Sequence, residues 1–262
     1  MALIAMCCYD TEENGRSEYT EKALKSILLH LYESTFQHKH RIILVDNGSC
    51  LRTKKIIQEC QASYIDFEVI TNTENVGTAK AINQAWKLRK EGEHLIKMDN
   101  DCIVNYDGDW VGEMERAIER DPSIGIIGLK RKDCIEKPSR NDFYKSELQM
   151  LPQKAGEPWI VVEKVNHVMG TCCMFNSALV DKIGGLYQMD GIYGFDDSLA
   201  AIRCQLAGFY NCFLPHIDIN HIDRGDTEYQ KEKESYALSM MDQYNHTKIQ
   251  MQQGKQSIVF PL

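Results

Sequence analysis

The sequence predicts an α/β fold: a central, mainly parallel sheet flanked by helices, with a small antiparallel region in its second half. Three observations lead there. Apolar runs of strand length alternate with stretches of helical periodicity from residue 1 to 105. The helices between those runs are long enough for right-handed crossovers, which make neighbouring strands parallel. Two later apolar runs, Trp159–Val165 and Val168–Phe175, are separated only by Asn166-His167, the spacing of a hairpin.

Ala2–Cys8 is an apolar strand, and the polar loop Asp10 to Ser17 follows it. Glu18–Tyr32 reads as a helix because Ala23, Ile27, Leu28 and Leu31 recur with helical periodicity. Arg41–Val45 is a second strand, Thr53–Cys60 a helix and Phe67–Thr71 a third strand. Thr78–Arg89 is the next helix, and His94–Met98 the fourth strand. Trp110–Glu119 is helical, stops at Asp121-Pro122 and leads into the strand Ile124–Leu129. Between Lys130 and Pro158 the chain turns polar, as a long excursion such as a mobile lid would. Beyond the expected hairpin one helix opens near Ser177 and stops at Gly184-Gly185. Another, Asp197–Ala207, stops at Gly208. After Asp226 the polar chain reads as a helical tail packed on the body through Ala237, Leu238, Met240 and Met241.

A chain of 262 residues suits one large α/β domain or two small ones, and a fold of that size buries roughly three quarters of its unfolded surface. A net charge of -8 argues against a general nucleic-acid-coating surface, which needs clustered Lys and Arg. Ten scattered cysteines, with no Cys-x-x-Cys spacing, read as reduced and mostly buried thiols. Ala2 to Tyr9 is too short, and lacks the basic flank, for a secretory leader. No run approaches the roughly 20 apolar residues of a membrane span. Together these features give the expectation of a cytoplasmic protein.

The polar loops at strand ends carry the chemistry, since open α/β sheets bind ligands outside the carboxyl ends of their strands. Leu95 to Val104 is the most informative stretch, because an apolar strand ends in Asp99-Asn100-Asp101 and turns apolar again. In an extended segment Asp99 and Asp101 share a face and converge on one cation, whereas the plain alternative is a turn rich in Asx residues. Val45-Asp46-Asn47-Gly48-Ser49 offers an Asp to a nucleobase edge, or is simply a turn capped by Ser49. In Asn75-Val76-Gly77-Thr78-Ala79-Lys80-Ala81-Ile82-Asn83, Gly77 permits close approach to a ligand, and Asn83 reaches a sugar or the adjacent loop. Ordinary helix packing explains that loop equally well. Asp196-Asp197 either caps a helix or supplies a general base, and Arg203, six residues beyond Asp197, pairs with a carboxylate or faces solvent.

In this order the loops resemble the GT-A glycosyltransferases, specifically the family-2-like inverting group, and the likeness runs from about Ala2 to Asp223. It rests on Asp46-Asn47-Gly48-Ser49, on Asn75-x-Gly77 with Ala81-x-Asn83, on Asp99-Asn100-Asp101, on Lys182-Ile183-Gly184-Gly185-Leu186, and on Asp196-Asp197 with Arg203 and Gly208. The resemblance implies a GT-A (Rossmann-like) domain over 1–225, with a nucleotide-binding half at 1–105, an acceptor and catalytic half at 106–225, and the tail at 226–262. It implies a nucleotide-sugar donor, with uridine as the base, held by Asp46, Asn75, Gly77, Asn83, Asp99 and Arg203. It implies Mn²⁺ or Mg²⁺ on Asp99, Asp101 and His221, the last matching a late histidine of the family. His216 does not match. Asp197 stands at the catalytic base, and Asp196 replaces the family's usual Glu, one methylene shorter. The implied acceptor is a hydroxyl on a glycan or lipid-linked saccharide. Self-association into a homo-oligomer stays open.

Two rival classes share parts of this pattern. A sugar-nucleotide pyrophosphorylase needs a glycine-rich, basic phosphate loop after the first strand, where this chain reads Cys8-Tyr9-Asp10-Thr11-Glu12-Glu13. A non-catalytic nucleotide-sugar-binding module would have no use for both the metal carboxylates and the candidate base.

Overall fold

The structure, a computed structural model, describes residues 1–33, 40–64, 67–133, 146–223 and 228–262. Its spine is a sheet in the order β3-β2-β1-β4-β9-β6-β10-β8-β7. The first four neighbours are β1 (Ala2–Cys8), β2 (Arg41–Asp46), β3 (Glu68–Thr71) and β4 (His94–Asp99), all parallel. Helices α1 (Ser17–Leu28), α2 (Leu51–Ser63) and α3 (Thr78–Trp86) make the crossovers. The elements read from periodicity are present here, each within a few residues of its expected bounds.

The second half differs from the expectation in one respect. β8 (Val161–Val165) and β9 (Cys172–Phe175) do not form a hairpin. β9 runs antiparallel between β4 and β6 (Ile124–Arg131), while β8 pairs with β10 (Tyr210–His221) and the edge strand β7 (Glu147–Met150). Burial explains the separation. All of Cys172–Phe175 is buried, so that segment belongs at the sheet centre, whereas β8 alternates between buried and half-buried positions. β10 has no clean period in sequence because Pro215 interrupts it. Its register on β6 shifts between Leu214 and Asp218, and a proline is tolerated at such an irregularity. Strand β5 (Cys102–Val104) pairs antiparallel with the end of β10.

Two cores sandwich the sheet. One joins α1, α2 and α4 (Trp110–Arg120) around Leu24, Ile57 and Trp110. The other joins α3, α5 (Ser177–Ile183) and α6 (Asp196–Leu206) around Trp86, which meets Phe175 edge-on with ring centroids 4.9 Å apart. The polar excursion expected at 130–158 lies outside the described residues at 134–145, and its later part supplies β7.

The tail forms α7 (Glu228–Ser239) and α8 (Met241–Gln252). Of the expected anchors Met240 packs against Met189 and Leu199, joined there by Tyr244, Met251 and Ile258, whereas Leu238 and Met241 are exposed. The last residues then return to the body. Phe260 donates its N–H to Ile183 O at 2.8 Å, and Phe260 O accepts from Gly185 N at 2.8 Å. A Cβ at Gly184 would collide with Phe260 O, so this glycine, at φ 73°, does more than stop α5. Among the described residues the cysteines carry no disulfide, and no helix is long and apolar enough to cross a membrane.

Candidate active site

Strands β1, β2, β4, β6 and β10 run in one direction, so their carboxyl ends bring Cys8, Asp46, Asp99, Arg131 and His221 to one edge of the sheet. A cavity of about 520 Å³ opens there, and its lining includes Asp99, Asp101, Asp196 and Asp197.

The Asp99-Asn100-Asp101 element is not the extended segment its spacing suggested. β4 ends at Asp99, residues 100–101 turn, and β5 begins at Cys102. The two carboxylates therefore enter the same cavity with different partners. Asp99 Oδ1 accepts from Lys97 Nζ at 2.7 Å. Asp101 is nearly buried, with Oδ2 2.5 Å from the Arg16 guanidinium and 3.4 Å from His221 Nε2. Burial alone would raise the Asp101 carboxyl, but His221 and Arg16 together hold it below the usual carboxylate range. Asn100 between them is an anchor, donating to Thr20 Oγ1 at 2.6 Å and Asp10 Oδ1 at 3.2 Å.

The buried Asp101 Oδ1 has no hydrogen-bond partner, and His221 is fixed by a 2.9 Å contact between Nδ1 and Asp223 O. A carboxylate oxygen and an imidazole nitrogen therefore meet at the cavity wall, a donor set that suits a divalent ion. Among the described residues no group of three or more His, Cys, Asp and Glu side chains makes a complete cage. Such an ion must draw further ligands from substrate or water.

The acidic pair opens α6. Phe195, just before it, holds φ 59°, the one non-glycine residue in the left-handed region among those described, and gives no side-chain cap. The two carboxylates then diverge. Asp197 accepts from Ser198 N at 2.7 Å and Gly170 N at 3.1 Å, with His167 Nε2 3.4 Å from Oδ2. Burial opposes its charge, yet His167, Lys97 and the Gly170 N–H hold its carboxyl far below the usual range. Burial also disfavours the His167 cation, and Asp197 with Asp196 outweighs it and raises that imidazole. Asp196 is raised, first by burial and then by Asp197 and Asp99, against the opposing pull of Lys97. Its Oδ2 is buried without a hydrogen-bond partner and lies 4.0 Å from Lys97 Nζ. The Asp197 side chain is the more open, at 28% against 13% for Asp196.

Other residues read as candidates are placed unevenly. Asn75 lines the cavity and accepts from Asn47 Nδ2 at 2.7 Å and Gly77 N at 3.0 Å. Asp46 is buried behind it, accepting from Ser49 N at 2.8 Å, and Asn47 presents the amide that faces the cavity. Gly77, at φ 93°, yields space to protein, since a Cβ would sit 3.0 Å from Ile192 Cα. Asn83 clamps the backbone of Leu186, donating to its O and accepting from its N at 2.8 Å each. Arg203 is buried outside the cavity, donating to the carbonyls of Ile183, of Gly185 at 2.8 Å and of Ile258 at 2.7 Å, and burial lowers it to about 10. It ties the end of α5 to the tail. His216 is half exposed beside Tyr106 and Glu113.

Sequence reading passed over Arg16, Lys97 and His167. Lys97 is buried and donates to Gly170 O at 2.6 Å as well as to Asp99. Burial disfavours its charge, but Asp99 and Asp196 lift the amine well above its ordinary value. A lysine inside an otherwise apolar strand was the available signal. His167 gave none beyond its place after Asn166.

Comparison with known proteins adds an independent line. The glycosyl transferase family 2 model matches residues 4–184. Uncharacterized protein y4gI of Sinorhizobium fredii (strain NBRC 101917 / NGR234) is 20% identical over 229 residues, covering 82% of this chain but 24% of that protein. The chain thus spans about a quarter of the length of the curated relative it matches. Among solved structures it resembles the mannosyltransferase PcManGT from Pyrobaculum calidifontis in complex with GDP-Man and Mn²⁺, at TM-score 0.61 and 19% identity, over 86% of this chain and 58% of that one. GalNAc-T7 with UDP, GalNAc and Mn²⁺ aligns at TM-score 0.61 and 13% identity, over 86% of this chain and 44% of that one. S. aureus TarS 1-349 in complex with UDP aligns at TM-score 0.55 and 16% identity, over 84% and 60%. At these identities the shared feature is the fold.

Proposed function

This chain belongs to glycosyl transferase family 2 and has the GT-A fold, and from that premise we propose that it moves a sugar from a nucleoside-diphosphate donor to an acceptor hydroxyl with inversion. The observation that carries the proposal is that Asp99, Asp101 and His221 line the same cavity as Asp196 and Asp197. The donor diphosphate lies at Asp99, Asp101 and His221, and the acceptor approaches Asp197. Uridine is the base we favour, on the resemblance and on the UDP held by two of the structural neighbours, and guanosine is the alternative. A saccharide hydroxyl is the acceptor we favour, on the resemblance alone.

In this mechanism the acceptor oxygen attacks the anomeric carbon as the bond from that carbon to the phosphate oxygen breaks. The bonding pair leaves with the diphosphate, and the acceptor proton passes to Asp197. His167 and Gly170 N keep that carboxylate ionised, which leaves it without a proton of its own but weakens it as a base. Asp196, turned against Lys97, is the lesser candidate for this proton. Asp101 and His221, with Asp99, would hold Mn²⁺ or Mg²⁺, whose chemistry is to neutralise the leaving diphosphate as a Lewis acid. Arg16 holds Asp101 at Oδ2, the oxygen that His221 also approaches, and Lys97 fixes Asp99.

Thermal-shift screening against UDP- and GDP-sugars, with and without Mn²⁺, tests the donor. Release of nucleoside diphosphate in the presence of saccharide acceptors then tests transfer. Asp197→Asn is expected to lower kcat by about 10²–10⁴-fold while donor binding persists. A folded sample stabilised by no nucleotide-sugar would overturn the proposal. Release of pyrophosphate would favour the pyrophosphorylase class instead.

A further inference from the structure

One two-residue segment ties Asp99 to the candidate base Asp197. At Gly170-Thr171, where the chain enters β9, Thr171 O accepts from Asp99 N at 2.8 Å. Gly170 O accepts from Lys97 Nζ at 2.6 Å, and Gly170 N donates to Asp197 Oδ2 at 3.1 Å. Lys97 Nζ also donates to Asp99 Oδ1 at 2.7 Å. We propose that Lys97 is a positioning residue: by holding Asp99 and the Gly170 carbonyl at once, it sets the distance between the leaving diphosphate and the base that takes the acceptor proton. The inference rests on the reading above, that Asp99 stands at the donor and Asp197 at the acceptor.

The placement of the lysine is the first argument. Lys97 and Asp99 are two apart on β4, so their side chains share a face, and the lysine is buried in an otherwise apolar strand. An ammonium has three protons to donate. Two serve Asp99 and Gly170 O, and Asp196 Oδ2, buried without a hydrogen-bond partner, lies 4.0 Å away. Neutralising Asp99 takes only the first of these contacts. The bond to Gly170 O is the one that reaches the acceptor side, because the N–H of the same residue ends on Asp197.

The room left at Gly170 is the second argument. A Cβ there would stand 2.9 Å from Lys97 Nζ and 3.1 Å from Asp197 Cβ. The backbone of Gly170 lies outside the left-handed region, so conformation does not require glycine, whereas the space between these two side chains does. Nζ ends a long side chain, but its bonds to Asp99 and Gly170 O pin it. Spacing held this closely bears on rate, since a misplacement of about 1 Å can cost about 10²-fold.

Gly170→Ala and Lys97→Met test the inference together. Gly170→Ala keeps every charge and every backbone donor and adds only the Cβ. Calorimetric titration with UDP and GDP in Mn²⁺ reads nucleotide affinity, and release of nucleoside diphosphate from UDP- and GDP-sugars, with saccharide acceptors, reads kcat. Both variants are expected to lower kcat by about 10–10²-fold. Nucleotide affinity is expected to be unchanged in Gly170→Ala. In Lys97→Met it should hold or tighten, because a cation has been taken from Asp99 beside the Mn²⁺. Should Lys97→Met fail to fold, Gly170→Ala decides alone. A wild-type kcat in either folded variant overturns the proposal, and so does a loss of nucleotide affinity as large as the loss of rate. Wild type that releases no nucleoside diphosphate removes the transfer reading itself, whereas release by wild type with unaltered variants removes only the positioning role.

Discussion

His167 and Asp197, thirty residues apart in sequence, meet with Nε2 3.4 Å from Oδ2, and this contact favours the ionised form of Asp197. The usual carboxylate value of 3.8 is depressed at Asp197, and the usual imidazole value of 6.5 is raised at His167. The depressed acid contributes stability that is present above 3.8 and is lost as pH falls through its folded value. The raised base contributes stability that is present below 6.5 and is lost as pH rises through its folded value. His167→Asn should therefore lower Tm most between those two values, and the gap to wild type should close as pH rises beyond 6.5. Both side chains are partly exposed, so the effect is about 1 kcal/mol, or ~2–4 °C. Because His167 lowers Asp197, its removal also moves the acid limb of the rate profile to higher pH. A Tm difference that does not vary with pH would show that the pair is not ionised as described.

Phe195 keeps its left-handed backbone while its ring stacks on Tyr244, centroids 4.4 Å apart and planes 13° from parallel. Such a backbone costs about 1–3 kcal/mol and persists only where the surroundings enforce it. Tyr244 also hydrogen-bonds Ser198, on the other side of Asp196-Asp197. Tyr244→Leu should reduce kcat about tenfold with little change in donor KM, because it removes the stack that aims the acidic pair. Tyr244→Phe, which keeps the ring, should recover most of the rate. If both variants retain wild-type kcat and differ only in Tm, the tail does not position the pair.

Gly77→Ala tests the close approach of two loops. The added Cβ meets Ile192 Cα at 3.0 Å and Ile192 O at 3.1 Å, and the φ of 93° is itself strained for alanine. A loss of about 1–3 kcal/mol is expected, measured as a lower urea midpoint with an unchanged m value. Wild-type stability would mean that the loop 188–192 moves aside at no cost.

Local pattern made much of this protein legible. β1, β2 and β4 and the helices between them follow from periodicity, because each buries one continuous face or run. The carboxylates at 99, 101, 196 and 197 were visible as interruptions of apolar sequence. β10 was not, since Pro215 and Asp218 break its pattern and only pairing with β6, β8 and β5 makes it a strand. The pairing of β8 with β9 was misjudged because proximity in sequence stood in for burial.

Sequence by itself determined the fold class, the strand ends that carry acidic residues and the order of those loops, all of which are properties of neighbouring residues. Tertiary structure alone decided what each charge does. Arg203 caps a helix end outside the cavity, Lys97 joins Asp99 to the acidic pair, and the tail brings Lys233 and Tyr236 to the cavity and stacks Tyr244 on Phe195. The physical reason is that ionisation and hydrogen bonding depend on which groups are within a few ångströms, and here those groups come from distant parts of the chain.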